Sequence, residues 1–190
     1  MNSRSTLRVV VSLLLVLCFA VTGEAFQSRD HLTQQEVDLV KEAQELDKRI
    51  DVFVKAADRR LLVLNGVDAA SAKQIKKDAE AWGELPIGSR AELVGDIARI
   101  LDEAITNIDD VSARDERNPL IPKALRKLAT EATRMVGQLK PLSGQAKGDA
   151  EVASFEQLME NAQAIVAAAN KLPPPVDKKK EKGKNNKAGN

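Results

Sequence analysis

The 190-residue sequence is poor in the side chains that carry most enzyme chemistry. It has one cysteine (Cys18), one histidine (His31) and no tyrosine. His31 has no cysteine, aspartate or glutamate at metal-ligand spacing, so it predicts neither a zinc site nor a histidine-dependent nucleophile. We therefore expect a solvated His31 and a protein that is not an enzyme and holds no metal or cofactor.

Aromatic side chains are also scarce, with four phenylalanines and one tryptophan. Carbohydrate clefts and base-stacking surfaces need aromatic faces, so both are disfavoured. Lysines and arginines number 29 and acidic residues 28, and residues 176–190 hold six of these lysines against two acids. The remaining body is mildly acidic, which is not typical of a nucleic-acid-binding domain. We predict no nucleic-acid partner.

Residues 1–25 have the pattern of a secretory signal peptide, with a basic head, an apolar run and a small-residue exit at Gly23 and Ala25. The pattern predicts cleavage before Phe26 and a periplasmic or extracellular location. The apolar run over 9–21 is shorter than the roughly 20 residues that span a bilayer. An uncleaved anchor is the alternative, and it would be the chain's only membrane contact.

Cleavage would remove Cys18, so the mature chain could form no disulfide and would depend on packing alone. The chain also has no Asn-x-Ser/Thr sequon. Both absences favour a bacterial envelope or secreted protein.

Beyond residue 32, apolar residues recur every three or four positions, which is the period of amphipathic helices. Two capping boxes, Thr33 to Glu36 and Ser89 to Glu92, mark helix starts. The predicted fold is all-α, an antiparallel bundle of four long helices and one short helix. The predicted helices cover 33–65, 68–82, 89–111, 119–141 and 149–172.

The domain organisation predicted from these boundaries has four parts: a signal peptide (1–25), a leader (26–32), the bundle (33–172) and a disordered Pro/Lys-rich tail (173–190). The tail lysines can contact an anionic partner, or the tail can be a solubilising terminus. These candidate contact residues are Lys178, Lys179, Lys180, Lys182, Lys184 and Lys187.

Four other features have both a structural and a functional interpretation. The acidic residues of helix 89–111 predict a solvated face or a Mg²⁺ or Ca²⁺ site, and the basic run over 114–134 predicts an outer helix face or an anionic contact. Gly95 and Gly137 predict a close helix crossing or a small pocket, and Trp82 predicts a core residue or a ligand platform. The acidic residues are Asp96, Asp102, Glu103, Asp109 and Asp110; the basic ones are Arg114, Arg117, Lys123, Arg126, Lys127 and Arg134.

Residues 42–53, with the sequence EAQELDKRIDVF, and residues 57–61, ADRRL, resemble the start of a group of exported bacterial helical proteins of unassigned function. The resemblance implies export and a helical domain. It implies no activity, cofactor or catalytic residue.

The function that the sequence favours is a non-catalytic exported module that binds an envelope protein or an anionic cell-wall or lipid polymer. The alternative is a periplasmic bundle that senses a small ligand or a metal, bound between helices near Gly95 or Gly137. An enzyme that uses only carboxylates and lysines is the third hypothesis.

Overall fold

A computed structural model describes residues 30–174 of the chain. The predicted signal peptide, most of the leader and the tail from residue 175 lie outside the described residues. Apart from Asp30, the described residues belong to one compact unit.

The described chain folds into helices joined by short connections, and it contains no strand between residues 30 and 174. The predicted all-α helical bundle is therefore confirmed at the level of fold class. The six helices of this part of the chain are α1 (Gln34–Glu42), α2 (Leu46–Asn65), α3 (Ala69–Trp82), α4 (Arg90–Arg114), α5 (Leu120–Ser143) and α6 (Asp149–Asn170).

Both predicted capping boxes are present. The Thr33 hydroxyl accepts a hydrogen bond from the Glu36 N–H, and the Glu36 carboxylate accepts one from the Thr33 N–H. Ser89 and Glu92 make the same reciprocal pair at the start of α4. These bonds satisfy N–H groups that have no partner within the helix, which explains why the helices begin at these residues.

The single helix predicted over 33–65 is wrong, because the structure breaks it between Glu42 and Leu46. No glycine or proline marks the break, and the apolar period continues through it. In a continuous helix residues 36 and 60 would lie about 36 Å apart, yet Glu36 Oε1 is 2.7 Å from Arg60 Nη1. The break lets α1 fold back onto α2. The contact between Glu36 and Arg60 therefore outweighs the continuous apolar period, which by itself favours one unbroken helix.

Helices α2, α4, α6 and α5 form a ring in that order, and α4 also contacts α5 across it. Three ion pairs join α2 to α5, which shows that the two helices are parallel, because each pair joins residues 76 positions apart. These pairs are Asp47–Lys123, Asp51–Lys127 and Asp58–Arg134.

Helices α4 and α6 are parallel as well, because Arg90 binds Glu151 and the Ala98 carbonyl binds Asn161 further along both helices. The predicted antiparallel packing therefore holds for α2 with α4 and for α5 with α6, but not for the other two neighbouring pairs. The reason is that the α4–α5 connection crosses the ring, so consecutive helices lie on its diagonal.

The core contains side chains from α2, α4, α5 and α6, among them Phe53, Ile97, Leu128 and Leu158, all fully buried. Eight apolar residues of α4 are buried, which agrees with the broad apolar face predicted for this segment. Such a face contacts more than one neighbour.

Helix α3 differs from the others because Trp82 is its only buried residue. Ile75 is half-buried, while Ala72 and Ala79 of the predicted apolar stripe are exposed. The predicted stripe is therefore only partly correct. α3 lies against the bundle along a narrow edge, and most of its surface faces outward.

Gly95 permits a close approach of α4 to α6, because a Cβ at this position would lie 3.3 Å from Ser154 Oγ. Gly137 does not, since a Cβ there would meet nothing within 4 Å. The close crossing predicted for these glycines is thus confirmed at Gly95 only.

Replacing Gly137 with alanine is expected to raise the free energy of unfolding by about 1 kcal/mol. Gly137 is exposed within α5 and its φ is not positive, so alanine removes the entropic penalty of a helical glycine without a clash. Urea unfolding of Gly137→Ala measures the gain. The matched Gly95→Ala variant should gain less, because Ser154 must move. Equal gains at both positions would contradict the crossing.

Candidate functional site

A buried charge network of Glu36, Arg59, Arg60 and Asp96 joins α1, α2 and α4. Glu36 is fully buried, and its Oε1 accepts from Arg59 Nε at 3.2 Å and from Arg60 Nη1 at 2.7 Å. Its Oε2 accepts from the Thr33 N–H at 2.9 Å. One carboxylate thus caps α1 and neutralises two adjacent guanidinium groups of α2.

Arg60 is 1% exposed, and its hydrogen bonds join α2 to the segment that precedes α1. It donates to the Ala56 carbonyl at 2.8 Å and to the His31 carbonyl at 2.7 Å. Its Nε lies 3.9 Å from Asp96 Oδ2, and Asp96 Oδ1 accepts from Arg99 Nη2 at 2.6 Å. Cations and carboxylates therefore alternate along the network, as buried charges require.

Arg59 extends the network to the connection between α3 and α4. Its Nη2 donates to the Gly83 carbonyl at 3.2 Å and also to the Glu84 carbonyl. Gly83 has φ of 64°, which glycine adopts without strain. Burial lowers the pKa of Arg59, and Glu36 opposes that shift.

The network is suited to holding segments in place rather than to acting on a substrate. Its two carboxylates are fully buried, so no substrate reaches them in this conformation. Each of the two carboxylates is bound by at least one arginine, so neither is placed to act as a general base at the surface.

The α2–α3 groove is the open cavity beside this network, with a volume of about 340 Å³. Lys55 Nζ lies 2.6 Å from Asp78 Oδ2 and 4.6 Å from the centroid of the Trp82 ring. The residues that line the α2–α3 groove are Lys55, Asp58, Arg59, Leu62, Ser71, Gln74, Ile75, Asp78 and Leu85.

The two carboxylates of the groove have opposite pKa shifts. Burial raises the pKa of Asp58, although its ion pair with Arg134 opposes the shift. The hydrogen bond from Lys55 lowers the pKa of Asp78. Perturbed groups in a cleft with apolar walls are typical of binding sites, and structural ion pairs produce them as well.

A second groove of about 300 Å³ lies between α5 and α6. None of its lining residues is charged, and Val136, Met159 and Val166 form its apolar part. It therefore offers an apolar surface with the neutral polar side chains of Thr133, Gln163 and Asn170, but no charged group.

The structure corrects the interpretation of His31 as a solvated side chain. Its Nε2 lies 2.7 Å from Glu103 Oε2 on α4. It also corrects the solvated acidic face, since Asp96 is fully buried. The other three aspartates, Asp102, Asp109 and Asp110, are exposed.

Within residues 30–174, no group of three or more histidine, cysteine, aspartate or glutamate side chains is placed to hold a metal ion. In the same part of the chain, no helix is long and apolar enough to cross a membrane.

Three members of the basic run pair with α2 within the molecule: Lys123, Lys127 and Arg134. A fourth, Arg126, donates to the Pro173 carbonyl, while Arg114 and Arg117 are exposed. The structure therefore uses three of these six residues to join α5 to α2, and a fourth to bind the segment after α6. The tail lysines from Lys178 to Lys187 lie outside the described residues.

The structural roles of Arg59 and Arg60 were not predicted from the sequence. The available signal was the position of Arg60, three residues after Ala57 and four before Leu64 on the apolar stripe of the predicted helix. A charge on an apolar face predicts a buried partner, but the periodicity did not identify Glu36 as that partner.

Replacing Glu151 with glutamine is expected to make stability less dependent on pH. The hydrogen bonds from Arg90 and from the Lys147 N–H hold the pKa of Glu151 below its usual 4.5. A lowered pKa stabilises the fold above pH 4.5, and the contribution is lost as the pH falls through the folded-state pKa. The difference in urea midpoint between wild type and Glu151→Gln should therefore shrink between pH 7 and pH 3.

The matched control is Glu156→Gln, at an exposed position of the same helix. A Glu151→Gln difference that stays constant across this pH range would contradict the ion pair.

No protein-family model, no curated protein and no solved structure matches this chain. The resemblance of residues 42–61 to exported bacterial helical proteins therefore stays a prediction.

Proposed function

We propose that this chain is an exported, non-catalytic helical module that binds an anionic lipid surface through the outward face of α3. The observation that carries the proposal is the exposure of α3, whose only buried residue is Trp82. The export signal predicted at residues 1–25 supports the envelope location.

The outward face of α3 is basic. Ser71, Ile75 and Asp78 lie on the side toward α2. At 3.6 residues per turn, Lys73, Lys76 and Lys77 lie on the opposite side together with Glu80. All four are exposed, so this face presents three positive charges and one negative charge to a partner.

Two exposed aliphatic residues flank α3, and they favour a lipid surface over an acidic protein. Val67 precedes the helix and is 49% exposed, while Ile87 follows it and is 84% exposed. Lysines beside aliphatic side chains are typical of segments that lie in the interface of an anionic bilayer.

The basic tail is the second part of the proposal. Residues 176–190 contain six lysines and only two acidic residues. A cluster of four to eight basic residues is typical of binding to anionic lipid. The tail follows directly after α6, so it can add electrostatic attraction without taking part in the bundle.

Replacing Lys73, Lys76 and Lys77 together with glutamine is expected to weaken binding to phosphatidylglycerol vesicles roughly 100-fold at low salt. Each lysine near an anionic surface contributes about 1 kcal/mol. Co-sedimentation with vesicles measures the change, and phosphatidylcholine vesicles should bind neither protein.

The charge-matched control replaces three other exposed lysines, Lys41, Lys48 and Lys140, with glutamine. It should bind nearly as well as wild type. Equal losses in the two triple variants would show that only net charge matters and would refute α3 as the contact surface.

A deletion variant that ends at Pro175 tests the tail. We expect an unchanged helical content with weaker and less salt-sensitive vesicle binding, because screening acts on exposed charges. Binding that is equal with and without the tail would remove the tail from the proposal.

A further inference from the structure

We propose that the α2–α3 groove binds a small amphipathic anion, a molecule with one carboxylate and an apolar body. This site lies on the side of α3 opposite to its basic outward face, so it goes beyond the lipid-surface function. The groove volume of about 340 Å³ lies within the range of small-molecule sites.

The walls of the groove supply the apolar contact. Leu62 of α2, Ile75 of α3 and Leu85 of the α3–α4 connection line it, and all three are half-buried. An apolar body placed against them would remove that remaining exposed surface from water, which is favourable at about 25 cal/mol per Å².

Unused donors stand beside these walls. The hydrogen bonds of Arg59 use Nε and Nη2, and Nη1 makes none to the described residues. Lys55 Nζ has three N–H donors, and its ion pair with Asp78 Oδ2 does not use all of them. A carboxylate can therefore accept from both cations, whereas a neutral molecule would gain less.

The balance of charge also favours an anion. The Lys55–Asp78 pair and the separate buried charge network from Arg59 to Arg99 together hold four cations and three carboxylates. The fourth carboxylate near the groove, Asp58, is bound by Arg134 of α5. An incoming cation would meet Lys55 and Arg59, both within 6 Å of the Trp82 ring, at 4.6 Å and 5.6 Å from its centroid.

The loose attachment of α3 gives the ligand room. Lys55 bridges from α2 to Asp78, and Trp82 anchors the end of the helix. Small shifts of α3 can thus adjust the width of the groove without disturbing the four-helix core.

The test uses octanoate as the probe and Trp82 as the reporter, because Trp82 is the only tryptophan of the chain. We expect a saturable change in tryptophan emission with a dissociation constant in the micromolar to low millimolar range. Acetate, which lacks the apolar body, and octylamine, which carries the opposite charge, should produce no saturable change over the same concentrations.

The Lys55→Gln variant should bind octanoate at least 10-fold more weakly, since a hydrogen bond to a charged group is lost. The matched control is Lys77→Gln, which removes the same charge from the outward face of α3 and should bind octanoate as wild type does. Because Lys77 belongs to the lipid-surface proposal, this pair also separates the two: vesicle binding and octanoate binding can fail independently.

Amide chemical shifts provide a second measurement that needs no variant. Octanoate should shift the amides of Ser71, Ile75 and Leu85 more than those of α5 and α6. The proposal is overturned if tryptophan emission and amide shifts do not change up to 10-fold above the expected range. It is also overturned if octylamine binds as well as octanoate, or if Lys55→Gln and Lys77→Gln bind equally.

Discussion

Replacing Glu36 with alanine is expected to lower the free energy of unfolding by about 3–5 kcal/mol. The change leaves Arg59 and Arg60 without their shared carboxylate, and these side chains are 7% and 1% exposed. Removing one partner of a buried ion pair costs this much because the remaining charge stays away from water. Urea unfolding followed by circular dichroism measures the loss.

Two controls separate the buried charges from the other roles of Glu36. Thr33→Ala removes only the cap of α1 and should cost about 1 kcal/mol. Glu42→Ala changes an exposed glutamate of the same helix and should stay within about 0.5 kcal/mol of wild type. A Glu36→Ala loss no larger than that of Thr33→Ala would contradict the network.

A double variant tests the coupling directly. Glu36→Leu combined with Arg60→Leu should be less destabilised than the two single losses added together, because neither charge is left without the other. Strict additivity would mean that the two side chains do not stabilise each other.

Replacing Trp82 with alanine is expected to release α3 from the bundle while the four-helix core stays folded. Trp82 is the only buried residue of α3, and its ring also contacts the Lys55 ammonium. Truncating a buried tryptophan costs about 3–5 kcal/mol. Amide hydrogen exchange in α3 should therefore accelerate roughly 100-fold or more, up to the rate of the unprotected chain.

The test compares amide exchange in α3 with amide exchange in the core helices of the same Trp82→Ala protein. Amides of α4 and α5 should keep their protection, because none of their core contacts depends on α3. Ile87→Ala, at a residue that is 84% exposed, serves as the control and should leave α3 protection unchanged. Uniform acceleration across all helices after Trp82→Ala would show that α3 is part of the cooperative core.

Local sequence signals predicted the helix starts well, because the interactions that define them are short in range. The capping boxes at Thr33 and Ser89 each involve residues three positions apart. Asp68 caps the start of α3 over the same spacing, because its carboxylate accepts a hydrogen bond from the Ser71 N–H. A pattern of that length can be recognised without any knowledge of the tertiary fold. The broad apolar face of α4 was predictable for the same reason.

Contacts between distant residues were not predictable in this way. The break before α2 has no local signal, and it exists because α1 folds back to place Glu36 between two arginines. The interpretation of Asp96 as solvated is overturned by its burial beside Arg60, which belongs to another helix. Periodicity identified which face of a helix is apolar, but not which charged side chain that face would accept.

The candidate site was the least predictable part of the molecule. Trp82 was recognised as a core residue, and it is the anchor of α3. The α2–α3 groove depends on how far α3 stands from α2, a distance that no helical period determines. Gly137, for which the sequence predicted a close crossing or a small pocket, is exposed, and a Cβ at this position would meet nothing within 4 Å.

The sequence by itself determined the helical fold class and most helix boundaries, and it predicts the export signal on which the proposed location rests. These features depend on composition, period and caps, which are properties of short segments. Only the tertiary structure decided the parallel pairing of α2 with α5, the pairing of Glu36 with Arg59 and Arg60, and the separation of α3 from the core. Each of these depends on side chains that are dozens of residues apart in the sequence and meet only in the folded protein. Leaving a buried charge without its partner costs more free energy than a local helical preference supplies.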